Sequence, residues 1–257
     1  VMASLWQDLQ VLYCNWLKPI SGDTHKERLE SFYASQAGAY DNYRARFLHA
    51  REPMLEKAAE LLRERAGTAE GQLVWVDLGG GTGFNVESLL RKVDPAKFKK
   101  VVMLDLTPSL CAQARKRVAR MGWTNVEVVE GDATTYQLPA GLQADLVTFS
   151  YSLSMIPPFY AAVDNALSLL KPDGMLGLAD FGTSAKYDSA LRQHSYLYRW
   201  FWRAVFDIDG IYLGPERRAY VEHKLGAPLF ELAGAAGIPY VPLLKAPWYV
   251  WVGQLRN

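Results

Sequence analysis

Residues 74–85, Val74-Trp75-Val76-Asp77-Leu78-Gly79-Gly80-Gly81-Thr82-Gly83-Phe84-Asn85, constrain this chain more than any other stretch. An apolar run ends in an acid, four glycines fall within five positions, and an amphipathic segment begins at Val86. The pattern predicts a buried strand, a tight turn and a helix. Glycines suit such a turn because a β-carbon would hold the backbone away from a ligand and would penalise positive φ. The first N–H groups of the new helix have no partners inside it and point at whatever sits over the turn. The stretch therefore reads as a nucleotide-type cofactor site.

A dinucleotide fingerprint needs G-x-G-x-x-G/A. Counted from Gly79 its last position falls on Phe84, and counted from Gly81 on Val86, so it fails in both registers. An oxidoreductase is disfavoured on that ground. The pattern present is acid-x-G-x-G-x-G, on Asp77, Gly79, Gly81 and Gly83. It resembles the first motif of class I S-adenosylmethionine methyltransferases, which implies that S-adenosylmethionine is the cofactor and that the acid helps to orient its methionine end.

The rest of the composition narrows the class. A length of 257 residues suits one α/β domain with an elaboration or a small lid, and 50% hydrophobic residues suffice for a sizeable core. A net charge of +1 argues against a general grip on nucleic acid. The basic clusters Lys97, Lys99, Lys100 and Arg115, Lys116, Arg117, Arg120 lie beside predicted helices and read as solvated faces. Cys14 and Cys111 make no disulfide framework and have no metal-ligand spacing, which points to a reducing compartment. No apolar run reaches the roughly eighteen residues of a membrane span. No signal peptide is evident, and a chain that starts at valine reads as lacking its true N-terminus.

Along the chain, Leu5, Leu9, Leu12 and Trp16 predict a helix over 3–18, ended by Pro19. Ser21-Gly22-Asp23-Thr24 caps a second helix, roughly 25–49, and Pro53 opens a third to about Arg65, before a linker from Gly67 to Gly71. Strands then alternate with helices: strand 73–78, helix 84–93, strand 101–106, a helix from Pro108, strand 126–130, strand 145–150, helix 159–170 and strand 175–180. The alternation pauses for an aromatic-rich, helical insertion at about 182–236. It resumes with Ile238–Leu244 and Trp248–Val252, whose short Lys245-Ala246-Pro247 connection suggests an antiparallel hairpin edge. The expected fold is α/β, a doubly wound, mostly parallel, seven-stranded sheet. Residues 1–70 form a helical lid and 71–257 the cofactor-binding core.

In such a sheet ligands sit beyond the carboxyl ends of the strands, at the switch point beside the first strand. Asp105, with Leu106 after it, closes the second strand 22 positions beyond Gly83. A carboxylate there can accept from both ribose hydroxyls, at about 1.5–3 kcal/mol for such a charged bond; the competing account is a strand-end acid facing water. Asp132-Ala133 ends the third strand, where the acid can accept from the adenine amino group or simply form a turn after Gly131. Ser150-Tyr151-Ser152 ends the fourth strand beside the reactive methyl. Base-methylating enzymes carry N/D-P-P-Y/F there, whereas here Pro157-Pro158 come too late, so nucleic-acid methylation is disfavoured.

Further stretches carry a more specific resemblance. Phe32-Tyr33-x-x-Gln36-Ala37-x-x-Tyr40-Asp41, Arg51-Glu52, the glycine turn, Ser150-Tyr151-Ser152-Leu153-Ser154-Met155-Ile156-Pro157-Pro158-Phe159, Trp200-Phe201-Trp202-Arg203-x-x-Phe206-Asp207 and Ala246-Pro247-Trp248-Tyr249-Val250-Trp251 together resemble the methyltransferase part of betaine-lipid synthases, over nearly the whole chain. The resemblance implies three N-methylations that convert diacylglycerylhomoserine to diacylglyceryl-trimethylhomoserine. It also implies a separate homoserine-transferring domain or subunit and peripheral contact with the cytoplasmic face of a membrane (the endoplasmic reticulum in a eukaryote); because methyl transfer moves charge from sulfur to nitrogen rather than creating it, no metal is expected.

Transfer of a methyl group to an amine needs alignment and a neutral amine rather than a strong acid or base, and alignment can be worth about 7–11 kcal/mol. Aromatic faces attract the quaternary product by about 0.5–2 kcal/mol each. Tyr33, Tyr40, Tyr43 and Tyr151 are candidates, with Tyr40 and Tyr151 placed at the reacting atoms and Tyr33 against the cofactor; core packing is the competing account. Arg44, Arg46 or Arg51 could pair with a substrate carboxylate, and His194 is a candidate base. Drawing about thirty methylenes from a bilayer at about 0.8 kcal/mol each would cost more than 20 kcal/mol, so a lipid-modifying enzyme works at the surface. Residues 196–206 have the aromatic and arginine mixture of an interfacial segment, and helix 3–18 is a second candidate. Burial against the sheet or a partner explains either stretch as well. The alternatives are a quinone or other small-molecule methyltransferase of the same fold and a non-catalytic S-adenosylmethionine-binding module.

Overall fold

The computed structural model describes residues 21–34, 46–67, 70–208, 210–238 and 241–255. β1 (Leu73–Leu78) is buried at every position because both of its faces are covered. It pairs in parallel with β2 (Phe98–Asp105) on one side and β4 (Ala144–Ser150) on the other. β3 (Val126–Glu130) extends the first flank and β5 (Leu170–Phe181) the second, both in parallel. β7 (Val241–Gln254) runs antiparallel to β5 and carries β6 (Phe230–Ile238) at the edge, giving the order β3-β2-β1-β4-β5-β7-β6. The winding reverses between β1 and β4, and a crevice opens at their carboxyl ends.

Helices cover both faces. α2 (Arg51–Ala66), α3 (Phe84–Leu90) and α4 (Pro108–Met121) pack Met54, Leu55, Val86, Leu89 and Ala114 against Trp75, Val101 and Met103. On the opposite face α5 (Phe159–Leu169) and α7 (Glu216–Leu225) set Ala162, Val163, Ala166 and Val221 against Val74, Val76 and Leu78. α6 (Tyr196–Asp207) joins the first layer through Trp202 and Phe206. α4 begins with Pro108 and ends at Gly122 in the left-handed conformation, as its sequence dictates.

Three expectations change. The helix over 25–49 is shorter: α1 (His25–Tyr33), opened by a capping box between Thr24 and Glu27, ends at Ala34, and residues 46–50 are turns. Helix 3–18 and residues 35–45, with Tyr40, Tyr43 and Arg44, lie outside the described residues. α2, assigned to the lid from sequence, is part of the core; Met54 lies over Gly177, where a β-carbon would stand 2.9 Å from its sulfur. The edge hairpin turns earlier than its sequence implies, because Lys245, Ala246 and Pro247 lie inside β7 opposite Gly237, Ala236 and Ala235. The small residues of β6 conceal a strand whose missing side chains make room for its neighbour. A β-carbon on Gly234 would meet the Trp248 ring at 2.7 Å.

Candidate active site

A cleft of about 510 Å³ lies over the carboxyl ends of β1, β2 and β4 and is roofed by α1. Its floor is the glycine turn. Gly79 and Gly80 donate their N–H groups to the Leu104 carbonyl at 2.7 and 3.0 Å, folding the chain sharply back. Gly79 (φ +74°) lies so close to the segment after β4 that a β-carbon would stand 2.3 Å from the Ser152 β-carbon. Gly81 (φ +59°) lines the cleft with open space where a β-carbon would go. Gly83 (φ +83°) does not line it; this residue opens α3 and faces Met103.

Asp77, expected to meet the cofactor directly, lies fully buried one layer beneath the cleft. Its Oδ1 accepts from the Thr148 hydroxyl at 2.6 Å, and Trp75 Nε1 donates to the same hydroxyl oxygen at 2.9 Å. Its Oδ2 accepts from Asn85 Nδ2 at 2.9 Å. Burial pushes the carboxyl up to about 6, against the pull of these two donors. Asp77 therefore positions Asn85, which lines the cleft and whose buried Oδ1 has no partner among the described residues.

At the end of the cleft formed by β2 and β3, Asp105 lines the wall and anchors the turn. Its Oδ2 accepts from the Gly81 N–H and its Oδ1 from the Thr107 N–H, both at 2.9 Å. Burial raises this carboxyl above the ordinary range. Each oxygen keeps a further lone pair for a ligand hydroxyl. Leu106, Asp132 and Ala133 complete this end. Asp132 does form the turn that competed with its adenine role, Oδ1 accepting from the Thr134 N–H and hydroxyl at 2.8 Å, yet it also lines the cleft. α1 is clipped over the site by Lys26 to Glu130 and by Glu30, which accepts from the Ser109 N–H and hydroxyl at 3.1 Å. Tyr33, from the same helix, lines the cleft and donates its hydroxyl to Met155 Sδ at 3.0 Å.

At the β4 end the buried Ser150 hydroxyl has no partner among the described residues. Tyr151 (φ +55°) lines the cleft, but its hydroxyl accepts from the Ala50 N–H at 2.9 Å and its ring packs on Phe181 with centroids 4.6 Å apart. Burial drives its phenol far above the ordinary range, so the hydroxyl stays protonated at neutral pH. Tyr151→Phe should lower stability by about 1–2 kcal/mol through the orphaned Ala50 N–H while changing turnover by less than about tenfold, read from melting curves and initial rates. Arg51 lies in the cleft wall, 4.7 Å from the Phe84 ring centroid, whereas Arg46 is exposed. His194 is away from the cleft: Nδ1 accepts from the Ser184 N–H at 3.2 Å and the ring stacks on Tyr198, a structural role. His25 and Lys26, which line the cleft from α1, and Asn85 were not singled out from sequence. Only Asn85 carried a signal, standing at the second position of the helix after the glycine turn.

The segment after β4 is held from below. Asp180 accepts from the Ser154 N–H and hydroxyl and from the Phe181 N–H, and burial pushes it up to about 6. Arg217 of α7 donates to the Leu153 carbonyl at 2.9 Å and lies between the rings of Phe159 and Tyr212. A carboxyl raised from 3.8 to about 6 contributes stability that is full below 3.8 and lost as pH rises through about 6. The stability difference between the parent and Asp180→Asn should therefore grow in the parent's favour by about 1–1.5 kcal/mol from about pH 7 to about pH 5, out of about 3 kcal/mol for the full span down to below pH 3.8. Thermal melts of the pair across that range check it.

The residues fit S-adenosylmethionine. The cleft offers an acid between β2 and the turn, an open glycine cradle, and two unpartnered buried polar atoms, Asn85 Oδ1 and Ser150 Oγ. The fold is that of class I methyltransferases. Residues 76–174 match a family described as a methyltransferase domain. Over 167 residues the chain is 27% identical to the chloroplastic 2-methyl-6-phytyl-1,4-hydroquinone methyltransferase of Spinacia oleracea, covering 65% of this chain and 42% of that protein. Over 119 residues it is 32% identical to the ubiquinone/menaquinone biosynthesis C-methyltransferase UbiE of Pseudomonas putida, covering 46% of this chain and 45% of that one. The chain thus spans less than half the length of these relatives. The structure of phosphoethanolamine N-methyltransferase 2 of Haemonchus contortus, in complex with phosphomonomethylethanolamine and S-adenosylhomocysteine, superposes with a TM-score of 0.60. Its identity is 11%, covering 92% of this chain and 61% of that one.

Proposed function

We propose that the chain methylates the amino group of an amino-acid lipid headgroup, converting diacylglycerylhomoserine to diacylglyceryl-trimethylhomoserine. The supporting observation is the distribution of charge in the cleft. Among the described lining residues the carboxylates are Asp105 and Asp132, both at the nucleoside end, while the β4 end presents Ser150, Tyr151, Ser152, Met155 and Ile156. Such a wall can orient a neutral amine but holds no carboxylate to deprotonate a phenol for attack through carbon. The bound cofactor supplies an activated methyl group on a sulfonium. Asp105 and Asn85 hold it, Ser150 orients the acceptor, and one ammonium proton leaves to water before each of the three transfers, none being left on the trimethylated product. The faces of Tyr33 and Tyr151 favour the cationic product by about 0.5–2 kcal/mol each. On this reading a partner domain or subunit attaches homoserine, and the enzyme works at the cytoplasmic face of a membrane.

The hydroquinone and ubiquinone/menaquinone methyltransferases among its relatives favour a second reading, C-methylation of a quinol. Incubation with S-adenosylmethionine and either diacylglycerylhomoserine or a demethylated quinol, followed by lipid mass spectrometry, separates the two. Mono-, di- and trimethylated headgroups are expected from the first acceptor. Methylation of the quinol alone would overturn the reading, and methylation of neither would leave a binding module.

A further inference from the structure

α6 is apolar on two sides. Trp202 and Phe206 are buried toward the sheet, while Tyr196, Leu197, Trp200 and Ala204, and Ile208 just past the helix, recur on the opposite side at helical spacing. Leu197 is 73% and Trp200 63% exposed, and the nearby Tyr187 is 85% exposed. Surface helices ordinarily turn a polar face to water, so a cluster of this kind marks a contact surface. Its charges indicate the partner. Lys186, Arg199 and Arg203 stand among the aromatics around a groove of about 780 Å³, and Arg199 Nε is buried there without a partner among the described residues. Asp207 and Glu216 also border the groove, Glu216 lying 3.8 Å from Arg217.

The surface also adjoins the active site. The groove reaches Tyr212, which borders a second cavity of about 290 Å³ lined by Leu29, Phe32, Met155 and Pro157. His25, Leu29, Met155 and Pro157 line the cofactor cleft as well, so this cavity, bordered also by Asp23 and Arg28, shares walls with both the cleft and the groove.

We propose that the outer face of α6 seats the protein on a bilayer bearing anionic headgroups, with Trp200, Leu197 and Tyr196 at the headgroup level and Arg199 and Lys186 on lipid phosphates. Aromatic side chains mixed with arginine and lysine match the two layers of that interface, and the cavity by Tyr212 lies between that surface and the cleft, on the side from which the headgroup of an amphiphile would enter. The docking surface stands without the acceptor assignment; only the entry of an amphiphile on that side rests on it.

Co-sedimentation with phosphatidylcholine vesicles, with and without phosphatidylglycerol, tests the docking with no acceptor present. The parent chain should sediment with the phosphatidylglycerol vesicles and release as salt is raised. The double variant Leu197→Ser/Trp200→Ser should lose about tenfold or more of that partitioning, and Arg199→Gln should lose most of its dependence on phosphatidylglycerol. All three side chains lie outside the core, so melting temperatures and S-adenosylmethionine affinity should stay near the parent values; Tyr187→Ser, outside the helix, gives an independent reading. Equal sedimentation of parent and variants would overturn the proposal. So would a parent that ignores vesicles, or one that forms a dimer by light scattering which the double variant abolishes.

Discussion

Asp105→Ala is expected to weaken S-adenosylmethionine binding by about a hundredfold or more, the largest loss of affinity for any single side chain in the cleft. The carboxylate receives the Gly81 and Thr107 N–H groups and keeps lone pairs for ribose hydroxyls. Each charged bond to a hydroxyl is worth about 1.5–3 kcal/mol, so losing two exceeds the 2.7 kcal/mol or so that a hundredfold requires. Stability should also fall, by about 1–3 kcal/mol, because two part-buried N–H groups lose their acceptor. Asp105→Asn, which keeps one acceptor oxygen, should lie between. Titration calorimetry reads the affinities, and an unchanged Kd for the alanine variant would remove Asp105 from the binding site.

Gly79→Ala is expected to be the most destabilising small substitution in the glycine turn. Its β-carbon would stand 2.3 Å from that of Ser152, a contact with no room to relax, because the Ser152 hydroxyl is tied to the Leu78 carbonyl at 2.7 Å. Together with the positive φ this should cost about 2–4 kcal/mol. Gly81→Ala shares the positive φ but meets nothing within 4 Å, so it should cost only about 1–2 kcal/mol. Its methyl group would enter the cleft and show itself in cofactor affinity instead. Melting curves of the two variants, with calorimetry on the second, check the contrast. Equal destabilisation would mean that the turn does not rest on the segment after β4.

How far the sequence could be read depended on whether a residue's role follows from its neighbours in the chain. The strand–turn–helix around Gly79 and the acid closing β2 are local patterns with a single geometric outcome, and they lead directly to the sheet and to Asp105. Asp77 was placed one layer too shallow, because nothing in the motif reveals that Thr148, 71 residues away, and Asn85 take both of its oxygens. Tyr151 looked reactive from its position at a strand end. Only the distant Ala50 and Phe181 show it to be packed and already bonded. The strand β6 escaped notice because its glycines and alanines carry no apolar alternation, and their purpose becomes visible only once Trp248 lies across them.

Arg217 has a bearing on how such a protein can change. One half of the cleft is built from β1, β2 and the turn, while the loop at its β4 end is gripped by a guanidinium from α7, outside the repeating strand–helix units. Substitutions in that appended segment can tilt Leu153–Pro158 without disturbing Asp105 or the glycines. Descendants of one ancestor could thus trade one methyl recipient for another while the donor's berth is inherited intact.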